Sequence, residues 1–296
     1  MYLLHPQLTA FTAVIEEGSF DAAARRLSIT PSAVSQRIKA LEDRLGQVLV
    51  VRQIPCRPTP SGERLLRRVR PMQALQAEAV ADFLSAVEAA PRTIPLAVND
   101  DSLQTWFLDG LARLHERHGY VFDVRVEDQD HTHEMLRDGS VLGAVTSEGK
   151  AVQGCNVHRL GVMRYHAIAS PGFAERHFRG GIRAEAVNKA PLIVFNRKDE
   201  LQWRFIRQRT RAKVSPPVHY LPTSTGFVDA AALGLGWCMA PEILITRAVE
   251  TGRLTIIDPQ HWLDVSLYWQ SSAVLSETLA NLNRAVLEAA SAVLRH

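Results

Sequence analysis

The sequence predicts an α/β protein with three parts: a winged three-helix unit, a long linker helix, and a two-lobed α/β domain. Three observations lead to this prediction. Short apolar repeats of helical spacing fill the first sixty residues, a near-heptad apolar repeat follows, and strand and helix patterns alternate from about residue 91 onward. The expected boundaries of the three parts are 1–60, 61–90 and 91–296.

The composition is that of an ordinary globular protein, with 46% hydrophobic and 22% charged residues among 296. A formal net charge of +3 is too small to identify a polyanionic partner, so the placement of the basic residues matters more than their sum. The chain has no apolar run long enough to span a bilayer and no signal-peptide pattern at its start. Its scattered cysteines fit neither a disulfide framework nor a zinc site, so we expect a cytoplasmic location, neither metal nor cofactor, and reduced thiols at Cys56, Cys155 and Cys238.

Short helices are predicted throughout the first 45 residues. Gly18 ends the first helix, and Ser19 caps the second, which ends at a short break after Leu27. Thr30 caps the third helix, and Pro31 occupies its first turn, where a missing N–H costs nothing. Apolar residues recur at helical spacing along the third helix and predict a buried stripe at Val34, Ile38, Leu41 and Leu45.

The opposite face of the third helix carries hydroxyl, amide and cationic side chains. Such groups near a helix N-terminus can enter the major groove of DNA and contact base edges or phosphates. A three-helix bundle with a solvated polar face fits the same spacing, so the helices alone leave both interpretations open. The residues of this face are Ser32, Ser35, Gln36, Arg37 and Lys39.

A predicted β-wing favours the DNA-binding interpretation. The segment Val48–Arg52 has the pattern of a strand, and a proline-bounded loop, Gln53–Pro58, follows it. Arg52 and Arg57 of this wing suit the minor groove or the phosphates that flank it.

The N-terminal segments follow one another in the order of a known DNA-binding domain. They resemble the winged helix-turn-helix of LysR-type transcriptional regulators, and the matching positions are dense and in register. These positions are Phe11, Ser19-Phe20, Ala22-Ala23-Ala24, Leu27, Thr30 to Ser35, Ile38, Leu41-Glu42, Leu45-Gly46 and Thr59 to Gly62. The resemblance implies a sequence-specific regulator of transcription that binds a double-stranded DNA operator. It also implies DNA contacts at Thr30, Ser32, Ser35, Gln36, Arg37, Lys39, Arg52 and Arg57.

One long helix is predicted from about Ser61 to Ala89. Its near-heptad apolar seam suits pairing with a second copy, and Pro71 is expected to kink it. LysR-type regulators pair through such a helix, so the resemblance implies a homodimer, or a homotetramer assembled through the sensing domains, with RNA polymerase as a further partner. The seam consists of Leu65, Val69, Met72, Ala79, Phe83 and Ala86.

Beyond the linker, alternating strands and helices predict a parallel sheet with helices on both faces, in two lobes that the chain crosses twice. Lobe I is expected at about 91–161 and 269–296, and lobe II at about 162–268. The arrangement resembles the periplasmic-binding-protein-like effector domain of LysR-type regulators. Ligands of such sheets bind at the carboxyl ends of the strands, in the crevice between the lobes.

That rule selects polar residues at strand ends in both lobes. The segment Thr223–Gly226 opens a predicted helix, whose N–H groups can bind a carboxylate. The facing loops are rich in Asp and Glu, which suit an ammonium or guanidinium group, so the two features together predict a basic amino acid as the effector. Ordinary surface loops and helix caps fit the same residues. The candidate effector contacts are Asp100, Asp101, Ser102, Glu127, Asp128, Thr146, Ser147, Asn196, Thr223, Ser224 and Thr225.

A narrower resemblance agrees with this effector. The Asn99-Asp100-Asp101-Ser102 segment, Trp106, and Trp203 after Lys198-Asp199 look like those of the ArgP/LysG (IciA-like) branch of LysR-type regulators. That likeness implies a response to lysine or arginine and control of a gene for a basic-amino-acid exporter.

Two other classes of function remain open. One is an enzyme acting on an amino-acid-like substrate, although Ser147 to Lys150 is an isolated SxxK match and the sequence has no P-loop, GxSxG or GxGxxG motif. His131 and His133 lack a second ligand pair for a metal. The other class is a DNA-organising protein that needs no effector. An effector-dependent footprint without turnover distinguishes the regulator from both.

Overall fold

The computed structural model describes residues 5–81, 93–126 and 129–296. Its N-terminal unit contains the predicted helices, α1 (Pro6–Glu17), α2 (Phe20–Leu27) and α3 (Pro31–Leu45). A short antiparallel hairpin follows, formed by β1 (Val50–Val51) and β2 (Arg57–Pro58). These elements confirm the predicted winged three-helix unit.

Local hydrogen bonds define the helix ends where the sequence predicts them. The Ser19 hydroxyl accepts a hydrogen bond from the Ala22 N–H at 3.1 Å, and the Thr30 hydroxyl accepts one from the Ala33 N–H at 3.2 Å. Gly18, at φ 69°, ends α1 in the left-handed conformation that glycine adopts without strain. The tight connections around α2 therefore follow from the residues at its two ends.

Two details of this unit differ from the prediction. Leu45 is 47% exposed rather than buried, because it is the last residue of α3 and Gly46 ends the helix there. Arg57 lies in the return strand β2, opposite Val51, and not in the wing loop, because the last two residues of the predicted loop, Arg57 and Pro58, form that strand. The buried core of the unit includes Phe11, Val14, Val34, Ile38, Leu49 and Leu66.

The linker helix, α4 (Pro60–Ala81), continues through Pro71. Val69 in its predicted pairing seam is 1% exposed within one chain, so it is not available to a second copy, and the seam is wrong at this position. The reason is that α4 packs on α1 and on the C-terminal domain. Met72 is 45% exposed and accessible, whereas Phe83 and Ala86 lie outside the described residues.

The C-terminal domain alternates strands and helices in two lobes. Lobe I contains β3 (Thr93–Val98), α5 (Asp100–Ser102), a π-helical turn (Leu103–Phe107), α6 (Leu108–His118), β4 (Val121–Val126), α7 (Gln129–Asp138) and β5 (Gly143–Thr146). A long strand, β6 (Cys155–Ala169), leads into lobe II, which contains α8 (Pro171–Phe178), α9 (Ala184–Lys189), β7 (Leu192–Val194), α10 (Leu201–Arg209), β8 (Val218–Tyr220), α11 (Ser224–Ala232), β9 (Cys238–Pro241), α12 (Glu242–Glu250) and β10 (Thr255–Ile256). A second long strand, β11 (Leu263–Ser272), returns to lobe I, where α13 (Glu277–Ser291) packs on α6.

The sheet is mixed and not wholly parallel, which corrects the prediction. Strand β3 pairs in parallel with β4 and β5, whereas β11 runs antiparallel to both β5 and β6. The strand order is β10-β6-β11-β5-β3-β4, with β9 also on β6. The crossings between the lobes are themselves the long antiparallel strands, so the strands predicted at Tyr165–Ala169 and Val265–Trp269 are parts of longer ones.

Both long strands are irregular at the same level. Leu267 pairs with Gly161 and Tyr268 with Arg159, so Leu160 is the extra residue of a bulge in β6. Gly161 has a φ of 143°, and an added Cβ would lie 2.7 Å from the Arg295 carbonyl oxygen, so any other residue there would be strained. A bulge bends the strand that contains it, and this one lies between the part of β11 that pairs with β5 and the part of β6 that pairs with β9.

Large aromatic side chains fill the core of the C-terminal domain. Trp106, Trp237 and Trp269 are at most 1% exposed, and the indole N–H of Trp269 donates to the side-chain oxygen of Asn283 at 2.7 Å. Within the described ranges, none of the helices combines the length and the apolar character that a membrane crossing needs.

Candidate functional site

The polar face of α3 is turned to solvent. Its residues are exposed or half-buried, namely Ser32, Ser35, Gln36, Arg37 and Lys39, and the apolar stripe lies on the other side of the helix. The hydroxyl of Thr30, which caps α3, also lies 2.9 Å from the hydroxyl of Ser32. Arg57 on β2 is exposed as well. The structure thus leaves free the surface that the sequence analysis assigns to DNA.

A carboxylate to which the sequence analysis gave no role holds the wing in place. Oε1 of Glu42 accepts hydrogen bonds from the Leu49 N–H at 2.8 Å and from the Val50 N–H at 3.3 Å. Its Oε2 lies 3.9 Å from Arg52, whose guanidinium also lies over the Phe20 ring, 5.3 Å from the centroid. Arg52 therefore rests against the helices, which orients it beside the recognition face.

A cavity of about 400 Å³ lies between the two lobes. The carboxyl ends of β3, β5 and β7 and the start of α11 meet at its wall, as expected for a ligand site of an α/β sheet. Its wall brings together several predicted effector contacts that are far apart in sequence: Asp100, Asp101, Thr146, Ser147, Asn196 and Ser224.

Three other predicted contacts, Ser102, Thr223 and Thr225, are not part of the wall that the described residues form. Ser102 is fully buried, because the helical turn that begins at Asp100 directs it into the core. Thr223 caps α11 by accepting a hydrogen bond from the Gly226 N–H at 3.4 Å, and Thr225 is exposed. Glu127 and Asp128 lie outside the described residues.

A direct contact joins the lobes across the cavity. Oδ2 of Asp100, at the start of α5, accepts a hydrogen bond of 2.5 Å from the backbone N–H of Ser224, at the start of α11. A helix N-terminus favours a carboxylate through its free N–H groups and its dipole. A carboxylate of the protein thus occupies the position that the sequence analysis predicts for the carboxylate of a ligand.

The neighbouring Asp101 is held from β6. Its Oδ2 accepts a hydrogen bond of 2.6 Å from the hydroxyl of Tyr165. Burial raises the pKa of the Asp101 carboxyl, the hydrogen bonds from Ser224 and Tyr165 oppose this, and the charges of Asp100 and Asp199 raise the pKa further. A cation in the cavity would relieve the repulsion among these carboxylates.

Several wall residues were not in the predicted set. Asp199 accepts hydrogen bonds from the N–H groups of Phe195 at 3.2 Å and Leu201 at 3.0 Å, which shapes the loop after β7. Tyr165 lies within a strand, and Asp199 lies well beyond the end of one, so the strand-end rule could not find them. Acidic side chains outnumber basic ones in the wall: Asp100, Asp101, Asp199 and Glu200 against Lys198 and Arg204.

The loop that carries Ser147 is organised by a fully buried amide on β11. The Nε2 of Gln270 donates to the carbonyl oxygens of Glu148 at 3.1 Å and Lys150 at 3.0 Å, and its Oε1 accepts from the Val152 N–H at 2.8 Å. Because buried backbone groups need partners, this side chain determines the shape of the loop.

The linker helix is tied to lobe I through Arg70. Its Nη1 donates to the Asp138 carbonyl oxygen at 3.1 Å and to the Ser140 hydroxyl at 2.7 Å, and it lies 3.4 Å from the Asp138 carboxylate. Burial lowers the pKa of Arg70, and the charge of Asp138 opposes this. The end of α7 is thereby connected to the helix that leads to the DNA-binding unit.

The cysteines are free thiols, and burial raises the pKa of Cys155 to about 11. Cys155 is therefore protonated at neutral pH and is a poor nucleophile. In the part of the chain that the structure describes, no three His, Cys, Asp or Glu side chains are grouped so that they could hold a metal ion.

A winged helix-turn-helix with an open polar face, joined by a long helix to a two-lobed domain with a polar cleft, defines a DNA-binding regulator that senses a ligand. Comparison with known families agrees. Residues 5–63 match the model described as "Bacterial regulatory helix-turn-helix protein, lysR family", and residues 88–291 match "LysR substrate binding domain". The chain belongs to the LysR family of transcription regulators.

Individual relatives indicate where in the LysR family this chain belongs. The HTH-type transcriptional regulator LysG of Mycobacterium bovis is 46% identical over 293 residues, which cover 98% of this chain and 94% of the relative. The crystal structure of ArgP from Mycobacterium tuberculosis has a TM-score of 0.88 at 45% identity and covers 99% of both chains. Full-length LysG from Corynebacterium glutamicum with bound effector Arg has a TM-score of 0.81 at 38% identity and covers 99% of this chain and 100% of its own. The predicted ArgP/LysG likeness is confirmed, and the chain is a regulator and not an enzyme.

Proposed function

We propose that this chain regulates transcription in response to a basic amino acid, arginine or lysine, bound in the cavity between the lobes. The convergence of Asp100, Asp101 and Asp199 on the cavity, beside the N-terminus of α11, carries the proposal. Carboxylates suit an ammonium or guanidinium group, and helix N–H groups suit a carboxylate. The bound effector Arg in the C. glutamicum LysG structure supports the same ligand class.

The residues proposed to contact DNA are those of the open α3 face and the wing: Thr30, Ser32, Ser35, Gln36, Arg37, Lys39, Arg52 and Arg57. The effector contacts proposed from the cavity wall are Asp100, Asp101, Thr146, Ser147, Asn196 and Ser224, together with Tyr165 and Asp199. For the domain boundaries we propose 1–60, 61–90 and 91–296, with lobe II running from about 162 to 268. The bulge at Leu160 supports that division of the lobes.

The working form we propose is a homodimer paired through α4, or a homotetramer, acting in the cytoplasm on a double-stranded operator with RNA polymerase nearby. A gene for a basic-amino-acid exporter is the proposed target. The effector acts by binding one arrangement of the lobes better than another, since a ligand shifts a conformational equilibrium only by that difference. Arg70 then transmits the orientation of lobe I to the linker helix.

The test uses the full-length protein. Selection from a random duplex library identifies the operator, and calorimetry measures the binding of each proteinogenic amino acid. We expect arginine and lysine to bind and to change the footprint on the operator. Binding of a neutral or acidic amino acid while both basic ones fail would overturn the effector assignment. A lack of sequence preference in the selected duplexes would overturn the DNA-reading role.

A further inference from the structure

The contact between Asp100 and the Ser224 N–H sets a condition on any ligand with a carboxylate. The amide belongs to the first residue of α11, a nine-residue helix, and it donates to Asp100 at 2.5 Å. A ligand carboxylate that accepts a hydrogen bond from this amide must therefore displace Asp100. The displaced carboxylate remains in the cavity wall and needs a new partner.

This inference rests on the proposed function and assigns the head group of the effector. We propose that Asp100 holds the carboxylate subsite in the ligand-free protein and that an α-amino acid exchanges with it. The ligand carboxylate then accepts the Ser224 N–H, and the ligand α-ammonium pairs with the released Asp100. Asp100 thereby selects ligands that carry both groups, because a ligand without the α-ammonium leaves the released aspartate unpaired, and a ligand without the carboxylate cannot replace Asp100 on the helix amide.

The two neighbouring aspartates differ in their freedom to make this exchange. Besides the Ser224 N–H, Asp100 contacts the side chain of Gln104, whose Nε2 lies 3.3 Å from Oδ1. Asp101 is instead anchored by the short hydrogen bond from the buried Tyr165. Asp100 can therefore rotate about its side-chain bonds without disturbing the core, whereas Asp101 is held in place by its bond to β6.

The cavity wall also offers acceptors for the side-chain cation of the ligand. Gln202 is fully buried, its Nε2 donates to the Ile193 carbonyl oxygen, and its Oε1 has no hydrogen-bond partner among the described residues. The side-chain oxygen of Asn99 is likewise buried and unpartnered there. Such atoms are costly to leave unsatisfied, and the N–H groups of a guanidinium or ammonium are suitable donors for them.

The experiment is a ligand-and-residue cycle measured by calorimetry on the full-length protein. The ligands are arginine, agmatine, which lacks the carboxylate, and the α-hydroxy analogue of arginine, which lacks the α-ammonium. The proteins are the wild type, Asp100→Asn, Asp100→Ala and the control Asp109→Asn. Asp109 is an exposed acid on α6 outside the cavity wall, and its replacement removes the same charge.

We expect wild-type protein and the Asp109 variant to bind arginine about tenfold or more tightly than either analogue, because each analogue loses a charge-assisted hydrogen bond. In both Asp100 variants the preference for arginine over the hydroxy analogue should fall to about twofold or less. A crystal structure with arginine should show Asp100 separated from the Ser224 N–H.

Two results would overturn the exchange while leaving the proposed function intact. In one, the wild type binds arginine, and the Asp100 variants keep the wild-type preference for arginine over the hydroxy analogue. The other is an arginine complex in which the contact between Asp100 and Ser224 persists. Failure of arginine and lysine to bind the wild type, with a neutral or acidic amino acid bound instead, would refute the proposed function itself.

Discussion

The hydroxyl of Tyr165 donates a 2.6 Å hydrogen bond to Asp101 from a strand that belongs to both lobes. Tyr165 is 4% exposed, and burial, followed by the charge of Asp101, raises its pKa well above the ordinary value. It therefore remains a neutral donor at any physiological pH. The carboxylate of Asp101 depends on this donor, since burial and the surrounding acids disfavour its charge.

Replacing Tyr165 with Phe should weaken effector binding. The hydrogen bond favours the charged form of Asp101, and a cationic ligand binds a carboxylate better than a neutral carboxyl, so we expect the Kd for arginine measured by calorimetry to rise several-fold. The matched control is Tyr220→Phe, which removes the same hydroxyl from an exposed position on β8 outside the cavity wall. Equal Kd values for wild type and the Tyr165 variant would contradict the role of this donor.

The Asp101→Asn variant should become more stable relative to the wild type as the pH rises. The pKa of Asp101 is raised in the folded state above its ordinary value of 3.8, so between these two pKa values the folded chain binds more protons than the unfolded chain. The unfolding free energy contributed by Asp101 is then present below the unfolded pKa and is lost as the pH rises through the folded pKa. Asparagine does not titrate and escapes this loss.

Urea unfolding of wild type and Asp101→Asn over a series of pH values measures the difference. The unfolding free energy of the variant should increase relative to that of the wild type as the pH rises. The difference should become constant once Asp101 is ionised in the folded state. Asp109→Asn, which replaces an acid at an exposed position, is the control. A constant difference between Asp101→Asn and wild type across the series would show that the carboxyl of Asp101 titrates normally.

Arg70→Gln should uncouple the effector from DNA without preventing either from binding. The side chain joins α4 to the end of α7 through Asp138 and Ser140, and its loss leaves this connection to weaker packing. Couplings between sites are typically about 1–3 kcal/mol, so we expect the effect of arginine on operator affinity to shrink several-fold. Titrations of a labelled operator with and without arginine measure it. Arg68→Gln, on the exposed side of α4, is the control, and an equal loss in both variants would rule out a specific role for Arg70.

Glu42→Ala should loosen the wing. The substitution removes the acceptor of the Leu49 and Val50 N–H groups and the partner of Arg52. Unpaired buried backbone groups cost about 1–3 kcal/mol, so the DNA-binding unit should lose that much unfolding free energy and bind its operator less tightly. Asp43→Ala changes an exposed acid in the same helix turn and should have little effect. Unfolding curves and operator titrations that match for both variants would dismiss the role of Glu42.

Substitutions on α3 and on the wing should have different consequences for DNA binding. Ser35→Ala with Gln36→Ala should reduce discrimination between the operator and unrelated duplexes, because these side chains lie on the face assigned to base edges. Arg57→Ala should weaken binding to all duplexes and reduce the slope of log affinity against log salt concentration by about 0.9 for each phosphate that the arginine no longer neutralises. If both variants bound operator like the wild type, α3 and the wing would not form the DNA interface.

The sequence predicts the DNA-binding unit closely because its signals are local. Ser19 and Thr30 cap helices through hydrogen bonds to residues three positions along the chain. Gly18 ends α1 through its own backbone dihedral angles alone. Val69 shows what local sequence signals do not encode. Its heptad position indicates pairing with a second copy, yet contacts with its own chain bury it, and a sequence repeat does not say which surface covers an apolar residue.

The same distinction applies to the effector domain. Alternation of strands and helices predicts two lobes and the strand ends that form the cavity, but not the antiparallel course of β6 and β11, which depends on pairings about a hundred residues apart. Likewise, Asp100 and Ser224 are both identified from strand ends and a helix start, whereas their hydrogen bond with each other is a tertiary contact that no local pattern encodes.

Strands β6 and β11 supply hydrogen-bonding edges to both lobes, since β11 pairs with β5 at one end while β6 pairs with β9 and β10 at the other. Lobe I has the pairings of β3 with β4 and β5, and lobe II has the β7-β8 pair, yet both lobes also depend on the two long strands that they share. The effector domain should accordingly melt as a single cooperative unit, with or without ligand, and resist division by proteolysis into separate halves. Because both lobes share these strands, a change in the bend at Leu160 would alter the angle between the lobes without breaking the pairing of β6 with β11.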